Sequence, residues 1–413
     1  MQLLSIWASL LGVEKTVIEG IDFDPLIQSI VVAVRPYKRM GHRCGLCNRR
    51  APLYDRGAGR RRWRALDLGT ITAYLEAEAP RVLCPIHGVV VASVPWARHG
   101  ARFTHQFDDM VCWLATHCSK TAVKELMRVA WRSVGRIISR VWAEREPQAG
   151  LLHGLRRIGI DEISYRKGHR YLTVVVDHDR RRLVWAAPGR NSETVHRFFD
   201  ALGEQGCLAI EQVSSDAGHW ITSVVEARCP NAKLCMDPFH VVAWAGDALD
   251  KVRRAVWNQA RRQGQQAVAK QIKGARFALW KRPQKLTDRQ RAKLSDIQQT
   301  NRQLYRSYLL KEQLRQVFEL RGQEGISLLD HWLGWACRCR IDPFVQLSRR
   351  IRRHRTTIEQ SLSLGLSNAL VESTNTKIRL ISRRSFGFHS PQPLIALAMF
   401  ELAGLCPPLP GRS

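Results

Sequence analysis

The stretch Ile158–Ser164, IGIDEIS, sets an acidic residue, Asp161, inside a run of strand-forming residues. β-branched and apolar neighbours favour an extended, half-buried chain, so a carboxylate at this place is held rigidly near the centre of a sheet. The segments that follow, RYLTVVVDH, DHDRR and RLVWAAP, read as a strand, a turn and a further strand. Beyond them come a helix (SETVHRFFDAL), a strand (LAIEQVSSD), a helix (WITSVVEARC), a strand (AKLCMD) and a helix from His240.

Three hairpin-linked strands followed by alternating helices and strands is the order of an α/β RNase H-like core. In that order the fourth strand lies beside the first, which brings Asp216, at the end of VSSD, next to Asp161. A third carboxylate, Glu372, stands on the helical stretch NALVESTNTKIRLI, with Asn375, Thr376 and Arg379 on the same face. Two strand carboxylates and one helix carboxylate can converge on a pair of divalent cations, Mg²⁺ or Mn²⁺, the arrangement that phosphodiester transfer uses to activate the attacking oxygen and stabilise the leaving one. Glu162 is expected on the opposite strand face and outside this set. In CMDPFHVV, Asp237 and His240 follow the fifth strand at the same end; they either support the metal ligands, tie the next segment to the core, or cap its helix.

Residues 243–362 are nearly all helical and rich in Arg, Lys, Gln and Trp, with a capping box predicted at Thr287 to Gln290. This is an all-α insertion, after which the core resumes over 363–413 with the helix that carries Glu372. The basic run Arg349, Arg350, Arg352, Arg353 and Arg355, together with Lys377 and Arg379, is expected to follow phosphates.

Before the core, a linker at 146–154 (EPQAGLLHG) closes a first part of the chain. Within it CGLC (Cys44, Cys47) and CPIH (Cys84, His87) are two knuckles with the same two-residue gap, the pattern of a structural zinc ribbon over residues 1–100. A helix LLSIWASLLG and a strand SIVVAVRP precede the first knuckle, and two short strands are expected between the knuckles. Residues 101–145 show three short helices, the last two resembling a helix-turn-helix that would turn Arg132, Ser133, Arg136 and Arg140 toward a DNA groove.

Composition agrees. The 65 Lys and Arg against 36 Asp and Glu leave a formal charge of +29, which points to a polyanion partner. Eleven cysteines scattered through 413 residues argue against a disulfide framework. No long apolar run suggests a membrane span, and the start MQLLSIWASLLGVEKT lacks a secretory leader, so a cytoplasmic protein is expected.

Taken together, CGLC with CPIH, GIDE, SSDAGHW, DPFHV and NALVESTNTKIRLISRRSFGF resemble the DDE transposases of bacterial insertion sequences, in particular the ISL-three family. The resemblance spans nearly the whole chain. It implies a transposase that binds the terminal inverted repeats of its own element as a dimer or higher multimer, with Asp161, Asp216 and Glu372 as the catalytic triad and Asp237 and His240 as the family's Asp-x-x-His signature. His87 departs from knuckles that are commonly all cysteine. The rival readings are an RNase H-fold nuclease or resolvase and a catalytically silent DNA-binding regulator.

Overall fold

The computed structural model describes residues 2–216 and 218–412 and divides into two compact units, residues 1–149 with 380–413, and residues 150–379. The first unit opens with α1 (Gln2–Leu11), β1 (Thr16–Asp24), β2 (Ser29–Pro36), β3 (Leu53–Asp55), β4 (Arg60–Arg64), β5 (Thr72–Glu78), β6 (Arg81–Cys84) and β7 (Gly88–Val91). These strands form two sheets, β1-β2-β5-β4 and β3-β6-β7. Alternation along β2 and β5 buries Ile30, Val32 and Val34 with Ala73, Leu75 and Ala77, and Trp63 closes this core edge-on to Trp96 at 5.6 Å.

Four strands here exceed the sequence expectation, β1, β3, β4 and β7. A register shift between Ile18 and Gly20 breaks the alternation of β1, and β4, RRRWR, buries only Trp63, so neither shows a clean period-two pattern. β3 spans three residues. The long gap between the knuckles is thereby explained: β4 and β5 leave the ribbon and complete the neighbouring sheet.

Helices α2 (His105–His117), α3 (Lys120–Met127) and α4 (Trp131–Arg145) follow. Thr104 and Ser119 cap the first two, accepting from the Phe107 and Ala122 amides. α3 ends on Arg128 in the left-handed region (φ 51°), which turns the chain into α4. One face of α4 buries Val134, Ile137, Ile138 and Val141.

In the second unit β8 (Arg157–Arg166), β9 (Arg170–Asp177), β10 (Arg182–Pro188), β11 (Gln212–Ser215) and β12 (Lys233–Met236) form one sheet in the order β10-β9-β8-β11-β12. β8, β11 and β12 pair in parallel, while β9 pairs antiparallel with both β8 and β10 and so alone runs against the others, as the RNase H-like reading expects. α5 (Ser192–Ala209) and α6 (His219–Arg228) supply the crossovers. β9 is buried along nearly its whole length, the mark of a central strand covered on both faces.

The helical insertion starts directly after β12: α7 (Pro238–Arg262), α8 (Gln266–Gly274), α9 (Arg276–Trp280), α10 (Asp288–Thr300), α11 (Arg302–Val317), α12 (Gly322–Arg338), α13 (Asp342–Arg353) and α14 (Arg355–Leu364). It has its own core around fully buried Trp332, whose indole N–H donates to the Leu310 carbonyl at 2.8 Å. At the start of α10 the Thr287 amide donates to Gln290 Oε1 at 3.2 Å, one arm of the predicted capping box. α15 (Ala369–Arg384) leads out of this unit, and α16 (Pro391–Leu402) belongs to the first, where Phe400 meets Trp142 edge-on at 5.8 Å. Among the described residues no helix is long and apolar enough to cross a membrane.

Candidate zinc centre, carboxylate site and DNA-facing surfaces

Cys44, Cys47, Cys84 and His87 bring their ligand atoms within 4.8 Å of one another. Tetrahedral zinc, with Zn–S near 2.3 Å and Zn–N near 2.0–2.1 Å, requires S···S of about 3.8 Å and S···N of about 3.6 Å. The structure has Cys47 Sγ to Cys84 Sγ at 3.7 Å, and His87 Nδ1 at 3.6 Å from both Cys44 Sγ and Cys84 Sγ. These distances fit a tetrahedral zinc that His87 would ligate through Nδ1, so its departure from an all-cysteine set is compatible with that geometry. Burial pushes the Cys84 thiol up, but the Ile86 and His87 amides and the His87 ring outweigh it and bring it down to about 6. The Leu46 amide points at Cys44 Sγ at 3.4 Å, as knuckle backbones do when they stabilise thiolate.

Asp161 lies in β8 opposite Val174, and its Oδ2 accepts from Asn375 Nδ2 at 2.8 Å. That bond pins α15 to the central strand. Burial raises Asp161 to about 6; the Glu162 amide and His240 oppose this, while Asp216 and Asp237 add to it. Asp216 follows β11, itself paired in parallel with β8 through Ser215 and Ile160, and its Oδ1 accepts from the Gly218 amide at 3.0 Å. Glu372 sits one turn before Asn375 on the exposed side of α15; burial raises it, with Asp237 adding to the rise and His240 opposing it. Asp237 and His240 are thus the groups common to the surroundings of Asp161 and Glu372.

Asp237 is buried. Its Oδ1 accepts from the Asn368 amide at 3.3 Å, and its Oδ2 has no hydrogen-bond partner among the described residues and lies 3.9 Å from His240 Nε2. It both ties the start of the insertion to the approach of α15 and leaves an unspent oxygen toward His240. Among the described residues no three of these carboxylate and imidazole groups come as close together as the zinc ligands do.

Glu162 turns to another partner, Arg190 Nε at 2.7 Å. Its carboxylate is nonetheless buried and raised to about 7, by desolvation first and then by Asp216, against the pull of Arg190.

Sequence reasoning missed the support behind β8. Gly159 faces Val371 of α15 so closely that a Cβ there would lie 2.4 Å from Val371 Cγ2. Ser214 Oγ donates to Asn368 Oδ1 at 2.8 Å, so the 2.8 Å contact of His178 Nε2 with Ser214 Oγ is a donation from the ring. One signal for this was legible: a glycine within a strand pattern marks close backbone approach.

The basic residues divide into free and engaged groups. Arg132 and Arg136 are exposed on α4 and Ser133 is half-buried, whereas Arg140 makes a two-pronged bond to fully buried Asp108, at 2.8 Å and 3.2 Å. Arg98 joins the same carboxylate at 3.4 Å and reaches Asp109 and Glu144. Arg140 therefore locks α4 to α2. On α13, Arg349, Arg350, Arg352 and Arg353 are exposed opposite buried Phe344, Leu347 and Ile351, with Arg350 stacked 3.6 Å above the Trp244 ring. Arg355 is held by Asp330 at 2.7 Å and Glu359 at 2.6 Å, while Lys377 and Arg379 are exposed on α15.

A zinc ribbon, a helix-turn-helix and an RNase H-like sheet with clustered carboxylates define the transposase of an insertion sequence. Residues 158–398 match a family described as "Transposase", residues 92–142 the "Helix-turn-helix domain of transposase family ISL3", and residues 41–87 the "zinc-finger of transposase IS204/IS1001/IS1096/IS1165". The chain belongs to the ISL3 family of DDE transposases. It is 56% identical, over 436 residues covering 100% of this chain and 98% of the relative, to the "Transposase for insertion sequence element IS1557" of two Mycobacterium tuberculosis strains, CDC 1551 / Oshkosh and H37Rv. It is also 28% identical over 337 residues, 80% of this chain and 82% of the relative, to the "Transposase for insertion sequence element IS1001" of Bordetella parapertussis.

Proposed function

We propose that Asp161, Asp216 and Glu372 are the carboxylates that hold two Mg²⁺ or Mn²⁺ ions in this transposase, and that Asp237, His240 and Asn375 position them. The observation that carries this reading is the Asn375 to Asp161 bond, which ties the helix bearing Glu372 to the strand bearing Asp161. The donor set fits such ions: hard carboxylate oxygens, with Asp161 and Glu372 raised first by burial and further by neighbouring carboxylates, which divalent charge would relieve. Bound there, the ions supply activation of an attacking oxygen and stabilisation of the leaving one.

Asn375 donates to Oδ2 of Asp161 and the Glu162 amide to its Oδ1 at 2.7 Å, so the carboxylate is held in one orientation while each oxygen keeps a lone pair for a ligand. The unpartnered Oδ2 of Asp237 is a further acceptor on the side of Glu372. On this reading the core cleaves the element's ends with water and joins the freed 3′ hydroxyl to target DNA by in-line attack at phosphorus. The ribbon and helix-turn-helix of residues 1–145 recognise the terminal inverted repeats, through Arg132, Ser133 and Arg136. Arg349, Arg350, Arg352, Arg353, Lys377 and Arg379 add sequence-independent phosphate contacts. The protein works on the bacterial nucleoid in the cytoplasm, and pairing of two ends requires a dimer or higher multimer.

Asp161→Asn, Asp216→Asn and Glu372→Gln should each lower cleavage at least about a hundredfold, roughly 3 kcal/mol, with DNA binding retained. Glu162→Gln, turned toward Arg190, should stay within about tenfold of the parent. If the three variants cleave normally, the triad is assigned wrongly. A strand-transfer assay that yields only hydrolysis would support the nuclease reading instead.

A further inference from the structure

The segment Phe388–Pro393, within the motif FGFHSP and the start of α16, takes no part in the chemistry above. In the first unit it lies over the amino-terminal half of α4 and closes a cleft of about 520 Å³ lined by Lys120, Trp131, Arg136, Phe388, His389 and Pro393, with Arg132 also at its edge. Small-molecule sites span roughly 300–1,000 Å³, so the cleft has the size of one.

The chemistry of the lining is one-sided: among the described residues it has cationic and aromatic groups and no carboxylate. Lys120 is only 5% exposed, yet among the described residues its amine has no hydrogen-bond acceptor or carboxylate partner. Its Nζ lies 3.2 Å from the centre of the Trp131 ring and 5.6 Å from that of Phe388, and burial pushes it down to about 8. An ammonium on a largely buried side chain that opens into the cleft without an acceptor is poised for a negatively polarised ligand. Trp131 and His389 meet edge to face at 5.5 Å, and His389, Arg132 and Arg136 are exposed. Aromatic faces with a cationic rim form the combination that holds a single unstacked nucleotide, ring on ring and phosphate on guanidinium.

We propose that this cleft receives one unstacked nucleobase of the bound DNA, its ring against Trp131, Phe388 and His389, an acceptor on its edge (a ring nitrogen or carbonyl oxygen) toward Lys120, and its phosphate on Arg132 and Arg136. The proposal rests on α4 being the DNA-contacting helix. It gives the carboxy-terminal segment a role in DNA recognition: the segment supplies one wall of the site.

The test uses the full chain and two synthetic 30-base-pair duplexes of the same sequence, one fully paired and one carrying a single unpaired 2-aminopurine nucleotide. The parent protein should bind the second about tenfold more tightly and quench its fluorescence, as stacking on an aromatic side chain does. Trp131→Ala and His389→Ala should abolish both effects and leave affinity for the paired duplex within about threefold. His389 is exposed, so its variant keeps the test valid should Trp131→Ala unfold. Lys120→Met, of similar length, should lose most of the preference. Equal affinity for the two duplexes in the parent protein overturns the proposal, and so do variants that weaken both duplexes alike, which would make the cleft a phosphate contact only. Failure to bind either duplex overturns the DNA-contacting reading of α4 together with the proposal.

Discussion

Gly159→Ala tests the link between the sheet and the helix that bears Glu372. The added methyl would sit 2.4 Å from Val371 Cγ2, 2.8 Å from His178 Nε2 and 3.0 Å from Ser214 Oγ. Carbon atoms pack at about 3.5 Å or more, so Val371 must retreat by about 1.1 Å. Val371 and Asn375 lie one turn apart on the same helix, and a retreat of that size stretches the 2.8 Å Asn375 to Asp161 bond beyond hydrogen-bonding range. Overpacking of this kind costs about 1–3 kcal/mol in stability, and a displacement near 1 Å at a reacting centre costs about a hundredfold in rate. Metal-dependent nicking of plasmid DNA should therefore fall about a hundredfold, with duplex binding unchanged. Adding Val371→Ala removes the atom struck first, and the double variant should recover at least about tenfold over Gly159→Ala. Full activity in Gly159→Ala, or no gain in the double variant, would refute the claim that this contact sets the position of α15.

In the ribbon, Cys84→Ser should lower zinc content below about half an equivalent in the purified protein and make residues 41–91 protease-sensitive; full zinc retention would remove Cys84 from the ligand set. Arg140→Ala should lower thermal stability, by less than the roughly 3–5 kcal/mol of a buried charge left wholly unpaired, because Arg98 still reaches Asp108. Arg136→Ala should instead leave stability within about 0.5 kcal/mol and weaken DNA binding with a smaller salt slope; the reverse pattern would exchange their roles. Burial holds His178 down at about 4, aided by Arg157 and Arg181 and opposed by Asp177 and Asp179. Its folded value lies below the ordinary 6.5, so the unfolded chain binds the extra proton between those values and stability falls on acidification from pH 6.5 toward 4. His178→Gln should flatten that part of a denaturant-midpoint profile by up to about 3 kcal/mol, and an unchanged slope would show that the ring is not buried neutral.

Much of this molecule was legible in the chain because the relevant signals are local. The strand propensity around Asp161, the hairpin order after it and the two matched knuckles are properties of short windows, and the RNase H-like sheet and the zinc set emerged where they were expected. β1 and β4 escaped because a bulge and a charged strand carry no clean alternation.

Tertiary structure alone decided which charges are free and which carboxylates share a field. Four arginines on or near α4 look alike in sequence, yet fully buried Asp108 on α2 claims Arg140 and Arg98 and leaves Arg132 and Arg136 exposed. Asp237 stands between the surroundings of Asp161 and Glu372 because β12 ends beside β11 and α15 packs where Gly159 leaves room for it. Sequence determines backbone periodicity within a segment, whereas these pairings depend on side chains separated by tens to hundreds of residues, which only packing of the finished fold brings into contact.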